Sequence, residues 1–147
     1  MTLPETATAI GNLAFNGCTY LRSIVIPDGI TAIGDYAFYG CVGLANIGIP
    51  SGLTAVGQYA FSGCDMKSIE MPSGGKTIGS SAFSDCYNLT TIVVLSVEPP
   101  VIGNGSSTAS CGLSTGCTIY VPAEAVDDYK DNTQWTKYAN QIQAIPE

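Results

Sequence analysis

The sequence contains no histidine, and only 12% of its 147 residues are charged. Histidine is the commonest general base and the commonest metal-ligating side chain, so its absence removes most familiar catalytic and metal-binding arrangements. Lysine and arginine number five against twelve acidic residues, which gives a net charge of −7. Because binding to a nucleic acid requires clustered positive charge, nucleic acid is not an expected partner. We expect no enzyme activity, no metal ion and no cofactor.

Long hydrophobic runs are also absent. No stretch approaches the ~20 apolar residues that span a bilayer, and no apolar run of signal-peptide length precedes Arg22. The sequence therefore predicts no membrane-spanning segment and carries no recognisable secretory signal. Apolar residues nevertheless make up 46% of the chain, which is enough for a folded core. The length suits one compact domain or a short repeat array.

A motif recurs four times along the chain at intervals of 23, 23 and 22 residues. Its centre is an Ala-Phe pair, with the phenylalanines at Phe15, Phe38, Phe61 and Phe83. An aliphatic residue and a glycine precede each pair, a cysteine follows three residues after each phenylalanine, and an Ile-x-aliphatic segment comes next. The short interval is a one-residue deletion between Cys64 and Met66. Correlated positions at a fixed spacing are typical of a repeat architecture.

A fifth copy of the motif is degraded. Val101-Ile102-Gly103 keeps the aliphatic-glycine step, but polar residues 104–110 replace the Ala-Phe pair. Cys111 lies one residue from its expected position, and residues 119–122 restore the strand segment. Leu3-Pro4 is typical of the end of a strand whose first half is missing. We therefore expect a trimmed chain or a fragment of a longer array.

The repeat predicts a solenoid. A 23-residue unit cannot bury its leucine, isoleucines and phenylalanine alone, so successive units must stack on one another. In the segment Leu-x-x-Ile-x-Ile the two isoleucines are two residues apart, so a strand directs both to the same side. We expect equivalent strands of successive coils to pair in parallel, and proline to end the strand because it cannot donate to the ladder. The expected fold is a repeat solenoid of short parallel β-strands in 22–23-residue coils, mostly β and turns.

The repeat cysteines form a column. Its members are Cys18, Cys41, Cys64, Cys86 and Cys111. Stacked coils bring their Cα atoms near the range of a disulfide, but in-register side chains point the same way, which favours free thiols buried as small apolar groups. Disulfides are the alternative. Cys117 lies outside the column, and a bond to Cys111 is a second open alternative in an oxidising compartment.

The pattern changes near the C-terminus. We assign residues 1–122 to the solenoid, with about five coils, the first incomplete and the last degraded, and residues 123–147 to a short α-helical cap. Apolar spacings of three, four and seven in the cap predict two short amphipathic helices. Terminal repeats must cover the end of the core for solubility, so Tyr129 and Trp135 are expected as cap residues. A ligand platform at Trp135 is the alternative.

Residues beside the core-facing isoleucines are expected to point outward. One outward row is chemically varied and contains two apolar residues and a tyrosine, as binding surfaces do. Together with two basic residues that precede the strands, it predicts binding residues at Arg22, Val25, Lys67, Glu70, Val93 and Tyr120. A solvated sheet face without a ligand is the alternative.

Three tyrosines flank the Ala-Phe turns. Tyr36, Tyr39 and Tyr59 are expected on the edge of the coils and partly exposed. Aromatic residues there can contact a protein or a sugar, or pack over a neighbouring turn.

The pattern Leu-x-x-Ile-x-Ile-Pro, followed by Ile-Gly-x-x-Ala-Phe-x-x-Cys, resembles the BspA-like leucine-rich-repeat family of bacterial cell-surface proteins, over residues 3 to about 122. The segment Ile119-Tyr120-Val121-Pro122 with Tyr129 and Trp135 adds to the resemblance. The resemblance implies a leucine-rich-repeat-like solenoid, a secreted or cell-surface location, and adhesion to an extracellular protein or glycan. The alternative function is a structural spacer that presents another domain and binds nothing itself.

Overall fold

The computed structural model describes all residues, Met1–Glu147. Each coil contributes one short strand at its aliphatic-glycine step. These strands are β1 (Ala9–Ile10), β3 (Ala32–Ile33), β5 (Ala55–Val56), β7 (Thr77–Ile78) and β9 (Val101–Ile102). They form one parallel sheet in the order β1-β3-β5-β7-β9, with equivalent residues in register from coil to coil. The repeat period therefore becomes the stacking register of the solenoid.

A second strand follows the cysteine turn of each coil. These strands are β2 (Ser23–Val25), β4 (Asn46–Gly48), β6 (Ser68–Met71), β8 (Thr91–Val94) and β10 (Thr118–Val121). They form two parallel sheets, β2-β4 and β6-β8-β10, and the second is extended by β11 (Ile142–Ala144). Inward and outward residues alternate in burial along β6, β8 and β10, as a strand with one buried face requires. The solenoid of stacked parallel strands predicted from the repeat is confirmed.

The phenylalanines form a stack through the core. Adjacent ring centroids are 5.2, 5.5 and 5.8 Å apart from Phe15 through Phe38 and Phe61 to Phe83, and neighbouring rings are within 7° of parallel. Phe38, Phe61 and Phe83 are buried, whereas Phe15 is half-buried because no coil packs on its outer side. The stack ties each coil to both of its neighbours.

Three of the five repeat cysteines, Cys41, Cys64 and Cys86, donate a hydrogen bond to the coil before them. Their Sγ atoms donate to phenylalanine carbonyl oxygens, with Cys41 at 3.1 Å from Phe15 O and Cys86 at 3.0 Å from Phe61 O. All six cysteines are free thiols, so neither a disulfide in the column nor one between Cys111 and Cys117 is present. Burial raises the pKa of the Cys86 thiol to about 11, which keeps it protonated as a donor. A cysteine at this position therefore fills a small apolar space and supplies an S–H donor to the preceding coil.

Close stacking leaves no room for a side chain at the glycine of the aliphatic-glycine step. A β-carbon added at Gly79 collides with the backbone of Gly57 and Gln58, whereas one added at Gly11, the same position of the first coil, meets nothing within 4 Å.

We expect Gly79→Ala to lower the free energy of unfolding by about 1–3 kcal/mol, because the backbone of the neighbouring coil cannot move aside to make room for the methyl group. Gly11→Ala is the matched control, and urea unfolding of both variants measures the difference. Equal stability of the two variants would contradict the coil spacing.

The C-terminal segment differs from the two predicted helices. A single α-helix, α1 (Val126–Asp131), lies between 3₁₀ segments at Ala123–Ala125 and Thr136–Gln141. The chain then becomes strand β11, in which Ile142 is paired with Ile119 of β10. Ile142 therefore extends the inward isoleucine column of the sheet, and its apolar spacing reflects strand pairing rather than a helix face. The segment covers the end of the core with a helix, 3₁₀ turns and a strand.

Candidate functional site

Three of the predicted binding residues lie side by side. Glu70 of β6 is in register with Val93 of β8, and Val93 with Tyr120 of β10. Parallel strands are ~4.8 Å apart, so these side chains form a continuous row across the sheet. Their strand neighbours Ile69 and Met71 are buried, which directs the row away from the core. The row combines a carboxylate, a branched apolar group and a phenol, and Gln143 of β11 continues it.

The remaining predicted residues lie on the neighbouring coils. Val25 is 66% exposed on β2 and is in register with Gly48, which has no side chain to cover it. Lys67 is exposed just before β6. The guanidinium of Arg22 lies against the backbone of Gly43, one coil further along. Arg22 is thus on the margin of this face, and Val25 is separated from Glu70 by Gly48.

The sheet is interrupted between β4 and β6. These strands belong to different sheets, although equivalent strands are expected to pair throughout the array. A backbone bond of 2.9 Å from Asp65 N to Leu44 O joins the two coils where they begin to diverge. The break coincides with the one-residue deletion between Cys64 and Met66, which shortens the turn that leads into β6. That deletion is the sequence signal that could have located the break.

The break opens two adjoining grooves in the face. One is lined by Val25, Asn46 and Lys67, and the other by Ile49 and Glu70 among others. Ile49 is half-buried there, whereas its counterparts Ile26 and Met71 in the adjoining coils are buried. The structure therefore gathers Val25, Lys67 and Glu70 around one irregularity. Asn46 and Ile49 are contact candidates that the sequence reasoning did not select.

The face carries an exposed apolar side chain at Val25 and charged side chains at Lys67 and Glu70. No group of three His, Cys, Asp or Glu side chains is arranged to hold a metal ion. Burial raises the pKa values of Cys64, Cys86, Cys111 and Cys117, so these thiols are poor nucleophiles. No helix combines the length and the apolar composition needed to cross a bilayer. The features of the face that a partner could contact are its two grooves, its exposed apolar side chain and its charged side chains.

Comparison with known proteins places the chain among bacterial repeat proteins. Residues 1–111 match the BspA type leucine rich repeat region in six copies. A leucine-rich repeat protein from Bacteroides ovatus is 28% identical with a TM-score of 0.68, over 81% of this chain and 30% of that one. The T. pallidum leucine rich repeat protein is 30% identical with a TM-score of 0.69, over 83% of this chain and 57% of that one.

The pneumococcal vaccine antigen PcpA shares the fold at 18% identity, with a TM-score of 0.73 over 100% of this chain and 41% of the antigen. No curated protein sequence matches the chain. The chain thus spans 30%, 57% and 41% of the three solved proteins to which it is similar.

Proposed function

Because the chain belongs to the BspA-type leucine-rich-repeat family, we propose that it is a non-enzymatic binding module whose β6-β8-β10 face contacts another protein. The proposal includes display at the bacterial surface or secretion, and adhesion to a host-matrix protein. Family membership supports an interaction role in general. The choice of face and of partner rests on the residues described next.

The row of Glu70, Val93 and Tyr120 carries the proposal. Interface centres are enriched in tyrosine and in apolar groups flanked by polar ones, and this row presents that combination on a rigid sheet. Val25 adds a 66%-exposed apolar side chain across the sheet break. Glu70 and Lys67 supply charges that can set the register of a partner.

We expect Tyr120→Ala and Glu70→Lys to weaken binding to immobilised matrix glycoproteins by about 30-fold each, the loss of a contact worth about 2 kcal/mol. Glu70 is exposed and Tyr120 is half-buried, so we expect little change in stability for Glu70→Lys and a loss of about 1 kcal/mol for Tyr120→Ala. Surface plasmon resonance against a panel of matrix proteins measures the affinities. Tyr87→Ala is the matched control, because Tyr87 is 88% exposed and away from the sheet face.

Retained affinity in both face variants would contradict the assignment of this face. A folded protein that binds no matrix protein at all would favour the spacer function. That alternative is supported by the length of the similar proteins, of which this chain spans 30–57%. In a spacer the repeats would hold another domain at a distance and the outward row would be solvated.

A further inference from the structure

A polar groove lies on a different side of the coils from the β6-β8-β10 face. It has a volume of about 750 Å³ and crosses the edge of the sheet β1-β3-β5-β7-β9. One wall is a row of side chains that each follow the glycine of the aliphatic-glycine step, namely Asp35, Gln58, Ser80 and Asn104. The other wall is the polar loop of the degraded coil, with Ser106 and Thr108. The repeat thus places one polar side chain per coil along the groove.

The row keeps hydrogen-bonding groups available to a ligand. Asn12 Oδ1 accepts from Asp35 N at 2.8 Å, and Asp35 Oδ1 accepts from Gln58 N at 2.9 Å. Asn12 and Asp35 each use one side-chain oxygen to accept a hydrogen bond from the backbone of the next coil. The other polar atom of each side chain has no protein partner. The side chains of Gln58 and Ser80 make no hydrogen bond within the protein. The groove therefore presents both donors and acceptors to a ligand.

The loop wall is held in place from the C-terminal cap. Gln134 is buried, its Nε2 donates to Ser106 O at 2.9 Å and to Ile102 O at 2.6 Å, and its Oε1 accepts from Ile102 N at 2.8 Å. Lys137 Nζ donates to Ala109 O at the far end of the loop. A wall that is already ordered reduces the entropy lost when a ligand binds.

Tyrosines directly follow two members of the row in the chain, and their rings form a cluster outside the groove lining. Tyr36 directly follows Asp35, Tyr59 directly follows Gln58, and their rings stack with centroids 5.1 Å apart and planes at 12°. Tyr39 meets both rings edge-on and is 42% exposed. Tyr36 and Tyr59 have φ values of 57° and 53°, a left-handed conformation that is unfavourable for a bulky side chain. Leu13 and Ser81 hold the same turn position in the neighbouring coils and have φ values of 62° and 56°, so this conformation belongs to the turn of every regular coil.

The composition of the groove selects the ligand class. No lysine or arginine lines it, so a phosphate or another anion has no counter-charge there. Val56 and Ala109 are its only apolar side chains, so burial of a lipid chain there would contribute little binding free energy. Hydroxyl, amide and carboxylate groups beside aromatic rings match a neutral ligand that has many hydroxyls and apolar C–H faces. We propose that this groove and the tyrosine cluster bind a neutral glycan.

Saturation-transfer NMR and isothermal titration with a panel of neutral oligosaccharides, built from hexoses and N-acetylhexosamines, test the proposal. We expect saturable binding that does not change when the salt concentration is raised. The double variant Tyr36→Asn/Tyr59→Asn should lose at least about tenfold in affinity, because it removes the platform while asparagine tolerates the left-handed backbone. Gln58→Ala should also weaken binding, since that side chain makes no internal bond.

Tyr20→Ala and Tyr120→Ala are the controls. Tyr20 is 90% exposed and outside the cluster, and Tyr120 belongs to the face proposed for protein contact. Both should retain glycan binding, so failure of the protein-contact proposal would leave this one standing. Absence of binding by the folded protein, a preference for charged glycans, or loss of binding in Tyr120→Ala would overturn the proposal. If the tyrosine double variant fails to fold, full affinity in Gln58→Ala would overturn it as well.

Discussion

Replacing Phe61 by alanine is expected to lower the free energy of unfolding by about 3–5 kcal/mol, the usual cost of emptying a buried phenylalanine site. Phe61 is fully buried and stacks on Phe38 at 5.5 Å and on Phe83 at 5.8 Å. The cavity would lie between two coils whose spacing is set by backbone hydrogen bonds on both sides. Bonds such as Phe38 N to Ala60 O at 2.8 Å and Phe61 N to Ala82 O at 2.9 Å limit how far the coils can collapse.

Chemical denaturation followed by circular dichroism measures this loss, with Phe15→Ala as the matched control. Phe15 holds the same repeat position, but it is half-buried and has only Phe38 as a stacking partner. Phe15→Ala should therefore lower the free energy of unfolding by clearly less than Phe61→Ala does. A similar loss at both positions would mean that the coils do not stack as described.

Trp135→Ala is the second substitution with a large expected effect, again about 3–5 kcal/mol. Trp135 is fully buried against the end of the solenoid, 5.2 Å from the ring of Tyr129 and 5.9 Å from that of Tyr138. Its Nε1 donates to Pro100 O at 2.8 Å, which ties the cap to the last regular coil. Alanine would remove the packing and leave that buried carbonyl oxygen without its donor.

Trp135→Phe separates the two contributions. Phenylalanine keeps most of the aromatic packing but cannot donate to Pro100 O, so its cost should be close to that of one buried acceptor left unsatisfied, about 1–3 kcal/mol. Thermal and urea unfolding of both variants give the comparison. If Trp135→Ala unfolds with the stability of the parent protein, the cap does not close the core.

The cap also links stability to the proposed glycan groove. Gln134, directly before Trp135, holds the loop wall through Ser106 O, and Tyr129 Oη donates to Ser96 O at 2.7 Å. Loss of the cap would therefore disturb the groove, and it would also uncover the Tyr120 end of the protein-contact row, because β10 pairs with β11. Glu70, on β6, is the member of the row furthest from the cap.

Much of the fold follows from local and periodic features. The Ile-x-aliphatic alternation places Ile69 inside and Glu70 outside, because residue spacing alone decides the side of a strand. The parallel register of Glu70 with Val93 follows from the constant repeat length between those coils. The predicted second α-helix is a 3₁₀ helix at Thr136–Gln141 that gives way to β11, because an apolar spacing cannot tell a helix face from a strand that completes a neighbouring sheet.

The sequence by itself determined the coil: its length, its inward residues, the position of its cysteine column and its family. Tertiary structure alone decided where the sheet breaks, how Gln134 fixes a loop 28 residues before it, and which polar atoms remain without partners. The reason is physical. A repeat encodes contacts between equivalent residues of neighbouring coils, whereas the break, the loop wall and the tyrosine cluster depend on non-equivalent residues that meet only after the coils have stacked.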